Sequence, residues 1–78
     1  MANFNKVIIA GRLGKDPEIR RIGETKVVSL SVATSERFTK NGEQQDHTDW
    51  HNVEAWGKTA DFVEKYFKKG SLILVEGK

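Results

Sequence analysis

The chain has 78 residues, no cysteine, two histidines, and 13 Lys and Arg against 11 Asp and Glu. That length holds one small domain, which buries about 60% of the surface its unfolded chain exposes. Without cysteine there is neither a disulfide framework nor a thiolate metal site. The longest apolar run, Val7-Ile8-Ile9-Ala10, is too short for a membrane-spanning helix or a signal-peptide core, so a soluble cytoplasmic protein is expected.

Charge is unevenly spread. Residues 1–40 carry a net +4, residues 41–57 carry −4 with no Lys or Arg, and residues 58–78 carry +2. A mildly basic body with one acidic segment fits a polyanion binder, and it equally fits an ordinary soluble domain.

Residues 4–13 contain a β-branched run bounded by Gly14, which predicts a strand buried on much of both faces. Gly11 inside it suggests a bulge or a sharp bend. Gly14-Lys15-Asp16-Pro17-Glu18 reads as a turn, because Pro fixes φ and Asp commonly opens such turns. Residues 19–22 form a candidate short strand, and Gly23-Glu24 turns the chain again. From residue 26 to 36, Val28, Leu30, Val32 and Thr34 alternate with the mostly small Val27, Ser29, Ser31, Ala33 and Ser35. On that small face another backbone or a ligand can approach closely.

Asn41-Gly42 is the strongest short hairpin signal in the chain, so residues 26–56 are expected to form one long β-hairpin. Its return strand places Asp46, Thr48, Trp50, Asn52, Glu54 and Trp56 on one face, and His47, Asp49, His51, Val53 and Ala55 on the other. Both tryptophans thus share a face with polar residues. Two readings are open: the rings stack on a flat ligand such as a nucleobase, or a bulge breaks the alternation and they are core. His47 and His51, four apart in a strand, are too distant to share a metal ion easily, and no metal or cofactor is expected.

Residues 58–69 change to helical spacing, with Ala60, Val63 and Phe67 inward and Phe62 and Tyr66 expected in the core beside them. Lys68-Lys69-Gly70 fits a helix end, and residues 71–76 form a last strand. Leaving the short segment aside, the order is strand, strand, strand, helix, strand. This is the order of an OB-fold, a Greek-key β-barrel, up to its fourth strand; that fold binds oligonucleotides on the face of strands 2 and 3. Here those strands are the hairpin that carries Phe38, Trp50 and Trp56.

Five blocks resemble, in order, the bacterial single-stranded DNA-binding protein family. They are Asn5-Lys6-Val7-Ile8-Ile9 through Gly11-Arg12-Leu13-Gly14-Lys15-Asp16-Pro17-Glu18, then Ala33-Thr34-Ser35-Glu36, Thr48-Asp49-Trp50-His51, Trp56-Gly57-Lys58 and Tyr66-Phe67-Lys68-Lys69-Gly70-Ser71. The resemblance implies an all-β OB-fold barrel with one helix. It also implies binding of single-stranded DNA with little sequence preference, protecting it in replication, recombination and repair, and a homotetramer associated with the nucleoid. By the same resemblance the stacking aromatics are Phe38 (where Trp is frequent), Trp50 and Trp56 (where Phe is common). His51 falls near the subunit interface, and Lys6, Arg12, Arg20, Arg37, Lys58 and Lys69 line the basic groove, with Asn52 standing where Arg is frequent.

The family continues beyond the Glu76-Gly77 block into a fifth strand and an acidic tail, so a single domain over residues 1–78, shortened at its C-terminal end and lacking that strand, is expected. Recruitment of other proteins through such a tail is not implied. Two other functions compete with this reading. Asp46, Asp49 and Glu54 near the histidines suggest a carboxylate nuclease, but no nucleophile, metal cluster or phosphate-cradling loop accompanies them. An OB-type protein-interaction module that does not bind DNA is the other alternative, and fluorescence quenching by oligo-dT separates it from the first reading.

Overall fold

The computed structural model describes residues 3–78. Five strands and one helix follow in the order β1 (Val7–Leu13), β2 (Glu18–Ile22), β3 (Thr25–Lys40), β4 (Glu43–Trp56), α1 (Lys58–Tyr66) and β5 (Leu72–Gly77). The short segment around Ile19 is therefore a genuine strand, zipped onto β3 from Glu18↔Ser29 to Ile22↔Thr25. All pairings are antiparallel, in the order β2-β3-β1-β5, with β4 on β3. Among the described residues β4 pairs only β3 and β5 pairs only β1, so the sheet is open where a closed barrel is expected.

The β3–β4 hairpin dominates. Asn41 and Gly42 take φ of 53° and 79°, the two positive values that a type I′ turn needs, and Lys40 faces Glu43 across it. From there the register runs unbroken to Val27↔Trp56. Beyond Ala33, β3 has no partner other than β4 among the described residues, so residues 34–49 form a two-stranded arm.

Leu13, Val28, Leu30, Val32, Ala60, Val63 and Ile73 form the core on the inner face, with Ile9, Val53, Ala55, Phe67 and Val75 packed around it. The inward alternation of Val28, Leu30 and Val32 follows the sequence reading. Gly11 marks where β1 presses on β3: a Cβ there would lie 2.2 Å from the Ala33 carbonyl oxygen. The β1–β5 ladder runs through Gly11↔Ile73 without a bulge, and just beyond it β1 pairs with β3 at Arg12↔Ala33 and Leu13↔Val32.

Three expectations need correction. β1 is not buried on both faces: Ile8 is 62% exposed, and Ala10 beside it is exposed too, because no element of the described chain covers that side. Phe62 and Tyr66 are not core residues. The helix is a nine-residue segment that buries Ala60 and Val63, leaving those two rings exposed and packed on each other at 4.9 Å. The helix also ends at Tyr66, where Phe67 turns extended (φ −115°, ψ 144°) to reach the core edge. The expected helical residues 67–69 instead form a loop pinned to the start of the chain. In it the Lys69 N–H donates to Asp16 Oδ1 at 2.8 Å, and the Gly70 N–H to the Leu13 carbonyl at 2.8 Å.

α1 is tied to β3 by one cation. Lys26 Nζ reaches Asp61 at 2.8 Å and Glu64 at 2.6 Å. The hydrogen bonds to Asp61 and Glu64 raise the Lys26 pKa above its ordinary value, and the bond from Lys26 lowers that of Asp61. Among the described residues no helix is long and apolar enough to cross a membrane.

Candidate nucleic-acid interface

Continuous pairing along β4 removes the reading in which a bulge turns the tryptophans into the core. No bulge interrupts the ladder, so Trp50, Asn52, Glu54 and Trp56 keep one face while His51, Val53 and Ala55 turn toward the core. Trp50 is 60% exposed and Trp56 50% exposed, whereas His51, Val53 and Ala55 are half-buried. The rings lie six residues apart, on the order of 20 Å along an extended strand.

Directly paired residues share a face, so the register shows what lies beside each ring. Trp50 faces Ala33, which faces Arg12, which faces Leu72. Trp56 faces Val27, which faces Arg20. Val27 is fully buried yet stands outside the main core; it lies on the outer face, flanked by Trp56 and Arg20. Between the two rows lie Ser31 opposite Asn52 and Ser29 opposite Glu54. These short side chains leave a shallow trough lined by Ser29, Ser31, Asn52 and Glu54, with Lys15 at its rim.

Gly14 seats the Trp50 ring. A Cβ on Gly14 would come within 2.2 Å of Trp50 Cζ3 and 2.6 Å of Cη2. The Gly14 N–H donates to the Ser31 carbonyl at 2.9 Å, which fixes that backbone against β3. One part of the indole thus rests on main chain, and the rest is open to solvent.

The predicted site residues divide into those on this shelf and those off it. Trp50, Trp56, Asn52, Arg12 and Arg20 share its face. Phe38 does not: it faces Gln45, on the side of the ribbon opposite the tryptophans, and is 42% exposed near the tip of the arm. Arg37 shares the tryptophan face but lies far along the arm, held to Asp46 at 3.0 Å. Lys6 is held by Glu76 at 2.9 Å. Arg20 is held by Glu54 at 3.2 Å, and Arg12 donates to the Gly70 carbonyl at 3.1 Å. Lys58 begins α1 two residues after Trp56, and neither it nor Lys69 is in an ion pair among the described residues.

His51 Nε2 lies 2.9 Å from Thr34 Oγ1 on the inner side of the ribbon, while His47 pairs with Asp49 at 3.0 Å. Among the described residues no three His, Cys, Asp or Glu side chains are grouped to hold a metal ion. Two shelf neighbours escaped the sequence reading, Gly14 beneath Trp50 and Lys15 at the trough. Both sit in a turn 35 or more residues before Trp50, so no local pattern links them.

An open antiparallel sheet of the OB type, carrying an exposed aromatic shelf, is thus the class that this fold and surface define. Solved structures of that class superpose well. A Plasmodium falciparum SSB in complex with ssDNA has a TM-score of 0.88 and 31% identity, covering 100% of this chain and 71% of that one. A deletion mutant of the single-stranded DNA-binding protein from Thermus aquaticus has a TM-score of 0.80 and 28% identity, covering 96% and 38%. The model of the single-strand binding protein family matches residues 4–78, and the chain belongs to that family. Among its relatives, the single-stranded DNA-binding protein of Neisseria meningitidis serogroup A is 44% identical over 78 residues, 97% of this chain and 45% of the relative. Single-stranded DNA-binding protein 1 of Chlorobaculum tepidum is 45% identical over 77 residues, 96% and 48%. The chain spans about half the length of the curated relatives it matches.

Proposed function

We propose that this chain binds single-stranded DNA with little sequence preference, stacking unpaired bases on Trp50 and Trp56 and running the phosphates past its Lys and Arg side chains. The observation that carries the reading is the pair of exposed indoles on one unbroken strand face, with short residues between them. Every base has a π-face, so stacking tolerates any sequence, and a duplex hides those faces. Arg12, Arg20 and Lys58 lie nearest the rings in the register and the chain, and they are the first phosphate contacts we assign. Phe38, Arg37, Lys6, Lys69 and Asn52 extend the path, with Phe38 reached on the reverse of the arm. Protection of single strands during replication, recombination and repair, within the cytoplasm, follows from that binding.

We also infer that copies of the chain assemble, as a homotetramer by the family resemblance. The support is the outer face of β1 and β5, where Ile8, Leu72 and Leu74 are 62%, 66% and 71% exposed and Ala10 lies among them. His51, half-buried on the inner side of the ribbon, is kept as a residue of that interface. Titration with oligo-dT while following tryptophan emission tests the binding, and mass in solution tests the assembly. Strong quenching is expected. A protein that shows none, at any salt concentration, is the protein-interaction module instead.

A further inference from the structure

The trough between the two tryptophans is not simply basic. Glu54 stands in the middle of the shelf, between Trp50 and Trp56 on the same face, and opposite Ser29. Glu18 faces Ser29 from the other side. Each carboxylate holds a cation of the same region: Glu54 takes Arg20 at 3.2 Å, and Glu18 takes Lys15 at 3.0 Å. All four side chains are at least about half exposed, so water and a polyanion both reach them.

We propose that Glu54 is an affinity-limiting residue of the DNA site, holding the Arg20 guanidinium away from phosphate. This inference rests on the single-stranded DNA reading above. In the free protein the Arg20 charge is already neutralised. An arriving phosphate must displace Glu54, and the released carboxylate then stays beside the bound strand. No net counterion is gained by that exchange, whereas an unpaired Arg20 would release one. The shelf therefore grips through its rings and comparatively little through charge, which favours exchange of the strand over tight retention. Glu18 and Lys15 repeat the arrangement one strand further on.

Glu54→Gln keeps the size and a hydrogen-bond acceptor for Arg20 while removing the charge, and at an exposed position it should leave the fold intact. We expect it to bind oligo-dT about two- to fivefold more tightly at low salt, the range that one exposed ion pair represents. The plot of log affinity against log salt should steepen by about 0.7, the increment for one further phosphate on a single strand. Adding Arg20→Gln to Glu54→Gln should remove both gains, because the gain acts through Arg20. Glu24→Gln makes the same change in net charge in the turn between β2 and β3, where the carboxylate holds no cation among the described residues, and should not steepen the slope. Unchanged or weaker binding by Glu54→Gln overturns the proposal, as does an equal gain in Glu24→Gln. Weaker binding to oligo-dC alone would make Glu54 a base contact and overturn it too. A parent protein that fails to quench with oligo-dT removes the DNA reading itself, a result distinct from all of these.

Discussion

Two parts of the sheet expose apolar side chains, and their surroundings differ. On β3 and β4 the indoles of Trp50 and Trp56 are separated by Asn52, Glu54 and serines, with ion pairs close by. On β1 and β5 the exposed Ile8, Ala10, Leu72 and Leu74 adjoin one another in consecutive rows. Isolated aromatic rings in a wet, charged setting suit a flat ligand that carries its own charge. Contiguous aliphatic surface suits a second protein surface that excludes water. The two regions meet at Arg12, which stands between Trp50 and Leu72 in one cross-strand row. Exposure alone does not define a site; the company that an exposed side chain keeps does.

The largest expected effect abolishes the comparison altogether. Leu30 is 4% exposed in the core that supports both surfaces, and Leu30→Ala should cost about 2–5 kcal/mol of unfolding free energy in a urea titration. Next come changes that separate the surfaces. Trp50→Ala should weaken oligo-dT binding by about 1–3 kcal/mol while the mass in solution stays that of the parent. Leu74→Lys should do the reverse, lowering the mass and keeping the quenching per chain. If either substitution moves both readouts together, the division is wrong.

Smaller still is Gly14→Ala, whose added methyl meets the outer ring of Trp50. It should weaken binding by no more than Trp50→Ala does. The loss should vanish when Gly14→Ala is placed in a Trp50→Phe background, since the smaller ring lacks the atoms that clash. A loss that persists there would show that Gly14 acts through something other than the indole.

The smallest effect concerns pH and leaves both surfaces alone. Asp61 has a folded pKa below its ordinary 3.8, because Lys26 hydrogen-bonds to it. Its contribution is therefore complete above 3.8 and disappears as pH falls through the lowered folded value. The raised pKa of Lys26 works in the other sense, contributing fully below 10.5 and fading as pH rises beyond it. Melting temperatures of the parent and of Asp61→Asn should converge in acid and differ slightly near neutrality. Equal melting temperatures at neutral pH would show that the Asp61 half of the tether between α1 and β3 adds nothing.

Much of this was legible in the chain itself. Asn41-Gly42 announced the hairpin, and the alternation of Val28, Leu30 and Val32 announced its inner face. The exposure of the tryptophans could be posed as a question but not answered, because alternation cannot exclude a bulge. Phe38 was within reach and was misplaced among the stackers of a single surface. A two-residue turn sets Lys40 against Glu43, hence Phe38 against Gln45, and Gln45 is five residues from Trp50, an odd number. Phe62 and Tyr66 failed for a different reason. Helical spacing identifies an apolar stripe, but the width of the stripe that is covered depends on the neighbouring elements, and this sheet covers Ala60 and Val63 alone. The contact of Gly14 with Trp50 joins two distant segments, and no window along the chain contains both.

The hairpin arm beyond Ala33 has its own consequence. Among the described residues no third strand lies beside this ribbon, and two strands alone are marginal in water, whereas the root is clamped by β1 and β2. Amide protons along β3 should therefore exchange with solvent in a gradient, fast around Phe38 and slowest around Leu30. The same pair of strands thus joins a base held on both sides, where the indoles sit, to a tip held only by its own ladder.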